Sequence, residues 1–198
     1  MSLMAFMLVM TTTSCANNDA EVAVNSGDKE SLVKDLRNFH KVNDYLYRGG
    51  MPTPDGIQAL HDNGVTTIVD LRNDKLGIAI ERHVAVTLGM EHISLPTGNA
   101  PPSIDKIAKF ISTVRKMKKQ HEEGKEGAIY VHCNAGCDRT SFYLATMRVV
   151  DQGWHPVRAY LEMLRYGFLI HHLEFPVTND ADKYMVRKRN YDVNNPQR

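Results

Sequence analysis

Three cysteines in 198 residues are too few for a disulfide framework, so the fold must rest on apolar burial. The apolar run Leu3–Met10 has eight residues, well short of the roughly 20 that a bilayer-spanning helix needs. Neither sign of charge prevails. Lys plus Arg number 24 and Asp plus Glu 23, a net charge of +1 that gives no support to a general nucleic-acid binder. Residues 1–28 lack Lys and Arg altogether, so residues 29–198 hold 24 basic against 20 acidic groups, net +4. That mild excess suits an anionic substrate. No internal repeat is present, and the only low-complexity stretch is the polar segment 16–30. A hydrophobic content of 42% with 24% charged residues sits near the globular average, which excludes a mostly disordered, collagen-like or multi-span chain.

Leu3–Met10 is followed by Thr11-Thr12-Thr13-Ser14-Cys15. A short apolar run before small residues resembles a secretory signal. Ser14-Cys15 resembles the end of a bacterial lipoprotein signal, in which Cys15 would carry the lipid and tether the chain to a membrane. Thr12 stands where such signals prefer Leu, and no positive charge precedes the run. Residues 1–30 are thus expected to form an export segment and polar tether, and residues 31–198 one domain in the periplasm or outside the cell.

Beyond the tether, strand and helix signals alternate. Tyr45–Tyr47 is a short strand ending at Gly49-Gly50, and Pro54–Asn63 a helix closed by Gly64. The β-branched run Val65–Leu71 reads as a buried parallel strand. Ile78–Leu88 has helical apolar spacing and stops at Gly89, and Glu91–Leu95 is a third strand. Ser103 can cap a helix running to about Gln120. Ala128–His132 is a fourth strand, followed by helices over Arg139–Asp151 and Pro156–Arg165. This order predicts an α/β fold with a central, mostly parallel sheet and helices on both faces. Ligands of such sheets bind beyond the carboxyl ends of strands, which singles out the loops after Leu71, Leu95 and His132.

The last of these loops carries the chemistry. It reads His132-Cys133-Asn134-Ala135-Gly136-Cys137-Asp138-Arg139-Thr140. A tight loop between a strand and a helix directs successive amides at one point, the amides of residues 134–139 here, and the helix N-terminus adds its dipole. Arg139 supplies a planar fork for two phosphate oxygens. A cysteine facing that cluster has its thiolate favoured and becomes a nucleophile. Gly136 gives the loop freedom to curl, and Thr140 can hydrogen-bond the Cys133 sulfur. His132 is expected to bond the loop backbone.

The motif resembles the signature of the protein tyrosine phosphatase superfamily, His-Cys, five residues, then Arg-Ser/Thr. The resemblance runs from about Tyr45 to Pro176. Tyr47–Pro52 is similar to the opening segment of dual-specificity phosphatases. Val69–Arg72, His132–Gly136 and the stretch Gly167–Pro176 look like the bacterial cysteine phytases, which act on inositol polyphosphates. Pro96–Asn99 resembles the atypical dual-specificity phosphatases of bacteria, fungi and plants. The resemblance implies a phosphatase-like fold and a cysteinyl-phosphate intermediate, with no metal or organic cofactor. It implies a small phosphorylated substrate, foremost an inositol polyphosphate, with a phosphoprotein as the alternative.

One element departs from the pattern. These enzymes carry an acid on a separate loop, and by resemblance it should stand at Gly98, which has no proton to give. Asp105, one turn into the next helix, and Asp138, beside Arg139, are the two candidates, with Asp74 a distant third. A carboxyl next to a phosphate dianion tends to keep its proton, as a general acid must. Without an acid, the chain would instead be a phosphate-loop binding module with little turnover. Sulfur transfer or arsenate reduction is a further alternative for a reactive Cys beside an anion loop. Arg72 and Lys75 follow the second strand at the same edge and are candidates for further phosphate contacts. Cys137 could form a disulfide with Cys133. His132, Cys133 and Cys137 lack a second ligand pair at zinc spacing. His171-His172 and Arg187–Arg189 read as solvated surface.

Overall fold

The computed structural model describes residues 36–98 and 100–168. The segment 1–30 with Cys15, the pair His171-His172, residues 174–176 and the basic run 187–189 lie outside them. Strands are β1 (His40–Asn43), β2 (Leu46–Gly49), β3 (Val65–Asp70), β4 (Glu91–Ser94) and β5 (Ala128–His132). Helices are α1 (Pro54–Asp62), α2 (Lys75–Thr87), α3 (Ile104–Glu122), α4 (Asp138–Val150) and α5 (Pro156–Arg165). The sheet order is β1-β2-β5-β3-β4. All pairings are parallel except β1 with β2, an antiparallel edge with an irregularity between Lys41 and Asn43.

Period-2 alternation divides the sheet between two cores. Ile129 and Val131 of β5 join the cluster formed with α3, α4 and α5, while Ala128 and Tyr130 join the cluster formed with α1 and α2. Both faces are covered, as the alternation of strands and helices predicts. On α3 the stripe Ile107, Phe110, Ile111, Val114 and Met117 supplies the buried face at helical spacing. Thr53 and Asp74 cap α1 and α2 through their side chains. Ser103 stands at the N-cap of α3 without a side-chain cap bond.

β1 was not expected from sequence. His-Lys-Val-Asn has no apolar run, and its residues become a strand through pairing with β2. The segment before it is held by Asn38, which adopts a left-handed φ of 54° and whose Oδ1 lies 2.9 Å from His40 Nε2. Burial, then the nearby Arg48 and Arg165 charges, lower the His40 pKa from 6.5 to about 4. Between those values the unfolded chain binds a proton that the folded chain does not. Stability should therefore fall as pH drops from 6.5 to 4. His40→Gln should remove that part of the fall, measured as the difference in thermal midpoint between pH 7 and pH 4.5. An equal difference in the variant would show that His40 is not the group responsible.

Candidate active site

β5 ends at His132, and the chain turns through Cys133–Cys137 into α4. Cys133 is 3% exposed at the base of this loop and carries a free thiol. The Cys133–Cys137 disulfide considered from sequence is therefore not formed in this structure. Four successive carbonyls are tied down from outside the loop. That of Cys133 lies 3.0 Å from His132 Nδ1, and that of Asn134 accepts from the Met51 amide at 3.0 Å. That of Ala135 accepts from Asn38 Nδ2 at 3.5 Å, and that of Gly136 from Arg48 Nη2 at 2.8 Å.

A trans peptide points its carbonyl and the following N–H in opposite directions. Anchoring those four oxygens turns the amides of Asn134, Ala135, Gly136 and Cys137 the other way. Among the described residues, none of the amides of Asn134, Ala135 and Gly136 has a backbone acceptor. The loop thus forms a nest of donors that opens at the N-terminus of α4, the arrangement that binds oxyanions.

Two residues make this geometry attainable. Arg48 is fully buried, bonds Ser141 Oγ at 2.7 Å as well as the loop, and lies 4.1 Å from the Tyr166 ring centroid. Burial lowers its pKa from 12.5 to about 10, which leaves it charged at neutral pH. Gly136 has φ +74°, and a Cβ there would come within 2.6 Å of the Gly49 carbonyl oxygen. Only glycine fits both the dihedral and the approach.

Arg139, half-buried, reaches from α4 to the carboxyl ends of β3 and β4, where Nη1 donates to the Thr97 carbonyl at 3.2 Å and lies 3.5 Å from that of Leu71. It also lines a cleft of about 130 Å³. The cleft is walled by Ala100, Pro101, Pro102, Phe142, Tyr143 and Phe168, with Thr97, Gly98 and Asp138 completing it. Tyr143 Oη and Thr97 Oγ1 lie 2.9 Å apart, and burial raises the phenol to about 12 despite that bond. Thr140 Oγ1 is buried without a partner.

Sequence-based candidates divide at this point. Cys133, Arg139, Thr140 and the loop 134–138 meet at one edge of the sheet. Asp138 lines the cleft together with Gly98, whereas Asp105 is exposed on the first turn of α3 and does not line it. Lys75 is exposed at the start of α2 and does not line the cleft either. Arg72 requires a correction. Expected as a phosphate contact, it is 5% exposed and bonded through Nη2 to Asp70 Oδ2 at 2.8 Å and to Glu81 Oε2 at 2.6 Å. Its charge is committed to two buried carboxylates.

Sequence reasoning missed Arg48, Asp70, Glu81 and His92. Arg48 shares the buried face of β2 with Leu46, an alternation visible in the sequence. Asp70, Glu81 and His132 bring ligand atoms within 4.8 Å of one another, as a metal site would. The Arg72 guanidinium already bridges the two carboxylates, so that position is filled by a resident cation.

Residues 17–170 match the model of a family described as DSP-PTPase phosphatase fused to NAD+ kinase. The dual specificity protein phosphatase TpbA of Pseudomonas aeruginosa strain UCBPP-PA14 is 29% identical over 133 residues, 66% of this chain and 55% of that protein. The chain thus spans about half the length of this curated relative. Among solved structures, P. aeruginosa TpbA has a TM-score of 0.59 at 24% identity over 76% of this chain and 90% of that one. The core catalytic domain of the PP-IP phosphatase SIW14 from S. cerevisiae has a TM-score of 0.59 at 21% identity, over 79% and 95%. PTPMT1 gives 0.59 at 18% identity, over 77% and 99%. At these identities the structures establish the fold.

Gly136→Ala should destabilise the protein by at least about 1–2 kcal/mol, the cost of a left-handed non-glycine residue. It should also weaken inorganic phosphate binding about tenfold or more. Gly98→Ala should change neither, since a Cβ there meets only Asn73 Nδ2 at 3.9 Å. Urea unfolding and phosphate titration of both variants check this.

Proposed function

The chain belongs to the family of DSP-PTPase phosphatases fused to NAD+ kinase, and from that footing we propose that it hydrolyses phosphate monoesters through a cysteinyl-phosphate intermediate. One observation carries the proposal: a buried free thiol at Cys133 at the base of a loop whose carbonyls are pinned outward and which leads into the helix that carries Arg139. The Cys133 thiolate attacks phosphorus in line, and the ester P–O bond breaks. Arg139 and the loop amides hold the equatorial oxygens as charge develops. Water then attacks phosphorus, the P–S bond breaks, and inorganic phosphate leaves. The unpartnered Thr140 hydroxyl is available to the departing thiolate. Asp138 protonates the leaving oxygen and takes back the proton of the attacking water. Its place in the cleft favours it over Asp105.

The cleft also bears on substrate class. Its volume of about 130 Å³ is close to the ~150 Å³ apolar cavity that takes up benzene. Among the described residues, Arg139 is the one cation in its lining. These walls favour an aromatic ring on the phosphate, as in phosphotyrosine. TpbA has been solved with pTyr. The inositol polyphosphate reading drew on Arg72, which is held by Asp70 and Glu81. It keeps support from PTPMT1, solved with PI(5)P, and from SIW14, a PP-IP phosphatase. Action outside the cytoplasm is part of the proposal and rests on Leu3–Met10 and the small residues before Cys15; fractionation of the native source tests it.

Cys133→Ser should abolish turnover and retain phosphate binding, and Arg139→Lys should cut kcat/KM severely, because an ammonium cannot reproduce the fork. Activity surviving Cys133→Ser would end the mechanism. A phosphotyrosine peptide should outrun inositol hexakisphosphate in kcat/KM at physiological salt; the reverse order would restore the polyphosphate reading.

General acids contribute about 10²–10⁴-fold, and most where the leaving group is a poor one. Asp138→Asn should therefore slow alkyl phosphates at least tenfold more than aryl phosphates, while Asp105→Asn leaves the ratio unchanged. In the Asp138→Asn background, Gly98→Asp should recover part of the alkyl rate. A ratio unmoved by Asp138→Asn would remove that residue from the mechanism.

A further inference from the structure

The face of α2 that packs on the sheet carries Ile78 and Ala85 and, between them, the carboxylate of Glu81, 4% exposed. An apolar side chain would bury there at less cost, so its surroundings need an account. Oε2 accepts from Arg72 Nη2 at 2.6 Å. Oε1 lies 2.8 Å from Nε2 of His132 and 3.0 Å from Nε2 of His92. Burial alone would raise the Glu81 pKa, but these bonds and the charges of His132 and Arg72 bring it down to about 2. An ionised carboxylate offers acceptors only, so both imidazoles must present Nε2–H to it.

The two histidines then differ. His132 Nδ1 lies 3.0 Å from the Cys133 carbonyl oxygen, a second acceptor. Two acceptors facing two ring nitrogens call for two ring protons, which only an imidazolium carries. His92 Nδ1 is buried with no partner, which fits a neutral ring. With these assignments Asp70 and Glu81 balance Arg72 and His132. A neutral His132 would leave a net negative charge buried. The other groups facing His132 are Asp70 Oδ1 at 3.8 Å, on β3, and the Tyr130 ring stacked at 5.5 Å, on its own strand. Arg48 on β2 lies on the neighbouring strand and holds Gly136.

We propose that Glu81 is a positioning residue for the nucleophile. It keeps His132 as the imidazolium, whose Nδ1–H fixes the Cys133 carbonyl and whose charge, one residue away, favours the Cys133 thiolate. The inference rests on reading Cys133 as the nucleophile, but its test does not require turnover.

The test follows alkylation of Cys133 by iodoacetamide against pH in the full chain, with the modified peptide resolved by mass. Glu81→Gln should raise the midpoint by about one pH unit, the lower end of the effect of a nearby charge, and so leave about tenfold less thiolate below it. Glu81→Asp should recover at least half of that shift. His92→Asn removes a partner of the same oxygen without touching the loop and should leave the midpoint in place even if stability falls. A folded Glu81→Gln protein with the wild-type midpoint would overturn the proposal, as would an equal shift in His92→Asn. Imidazole ¹⁵N shifts of the wild-type protein at pH 7 give a reading that no folding defect can obscure. Both His132 nitrogens should be protonated, and a neutral ring overturns the inference. Loss of the phosphatase reading itself would appear elsewhere, as turnover surviving in Cys133→Ser.

Discussion

The site depends on where four carbonyl oxygens point. Left to itself, a five-residue loop has many conformations, and ordering each residue costs about 1–2 kcal/mol of backbone entropy. Here Cys133, Asn134, Ala135 and Gly136 are held by donors from four separate places: a histidine ring, a backbone amide, an asparagine side chain and a buried arginine. Because each peptide is planar, fixing the oxygens fixes the amides. The anion nest is thus built from its outer side, and no substrate is needed to shape it. The nearby glycines follow from this. Gly136 packs against Gly49 because Arg48, one residue before Gly49, draws the loop in.

The buried charges serve the same end from the other face of the sheet. Asp70, Arg72, Glu81 and His132 lie under the carboxyl ends of β3 and β5, where an apolar cluster of equal volume would be as stable or more so. Their retention makes sense if one member must carry a charge at a set place. Arg72 alone could neutralise one carboxylate; the second carboxylate calls for a second cation, and His132 is the one that touches the loop. The ion group and the carbonyl ties are therefore one device, joined at His132.

Much of this was legible in the sequence. The strands β3 and β5 stand out as β-branched or apolar runs, and Gly64, Gly89 and Gly153 mark where helices stop. Cys133, Gly136, Arg139 and Thr140 declared themselves by spacing. β1 did not, because an edge strand needs no apolar run when its partner supplies the pairing. Arg72 misled for a physical reason: a lone arginine at the active edge looks free until its partners are known, and one of them, Glu81, lies nine residues on in the next helix. Glu81 itself was not singled out from the sequence. Its signal was its spacing, since it falls on the buried stripe with Ile78 and Ala85. A charge inside an apolar stripe marks a side chain with a partner elsewhere in the fold.

The absent acid at Gly98 and the apolar cleft fit each other. An inositol phosphate leaves as a strongly basic alkoxide, so it needs a proton in the transition state, and its remaining phosphates need cations. A cleft in which Arg139 is the one lining cation among the described residues supplies little of the second. A phenolate is a far better leaving group, and its ring gains from burial at about 25 cal/mol per Å² of apolar surface. For such a substrate, the contacts of Phe142, Phe168, Pro101 and Pro102 provide binding where a polyanion would be desolvated without compensation. A loop with no carboxylate at Gly98 and, among the described residues, a wall with no lysine both suit the proposed substrate, whose leaving group would be held by its ring and depart with modest help from Asp138.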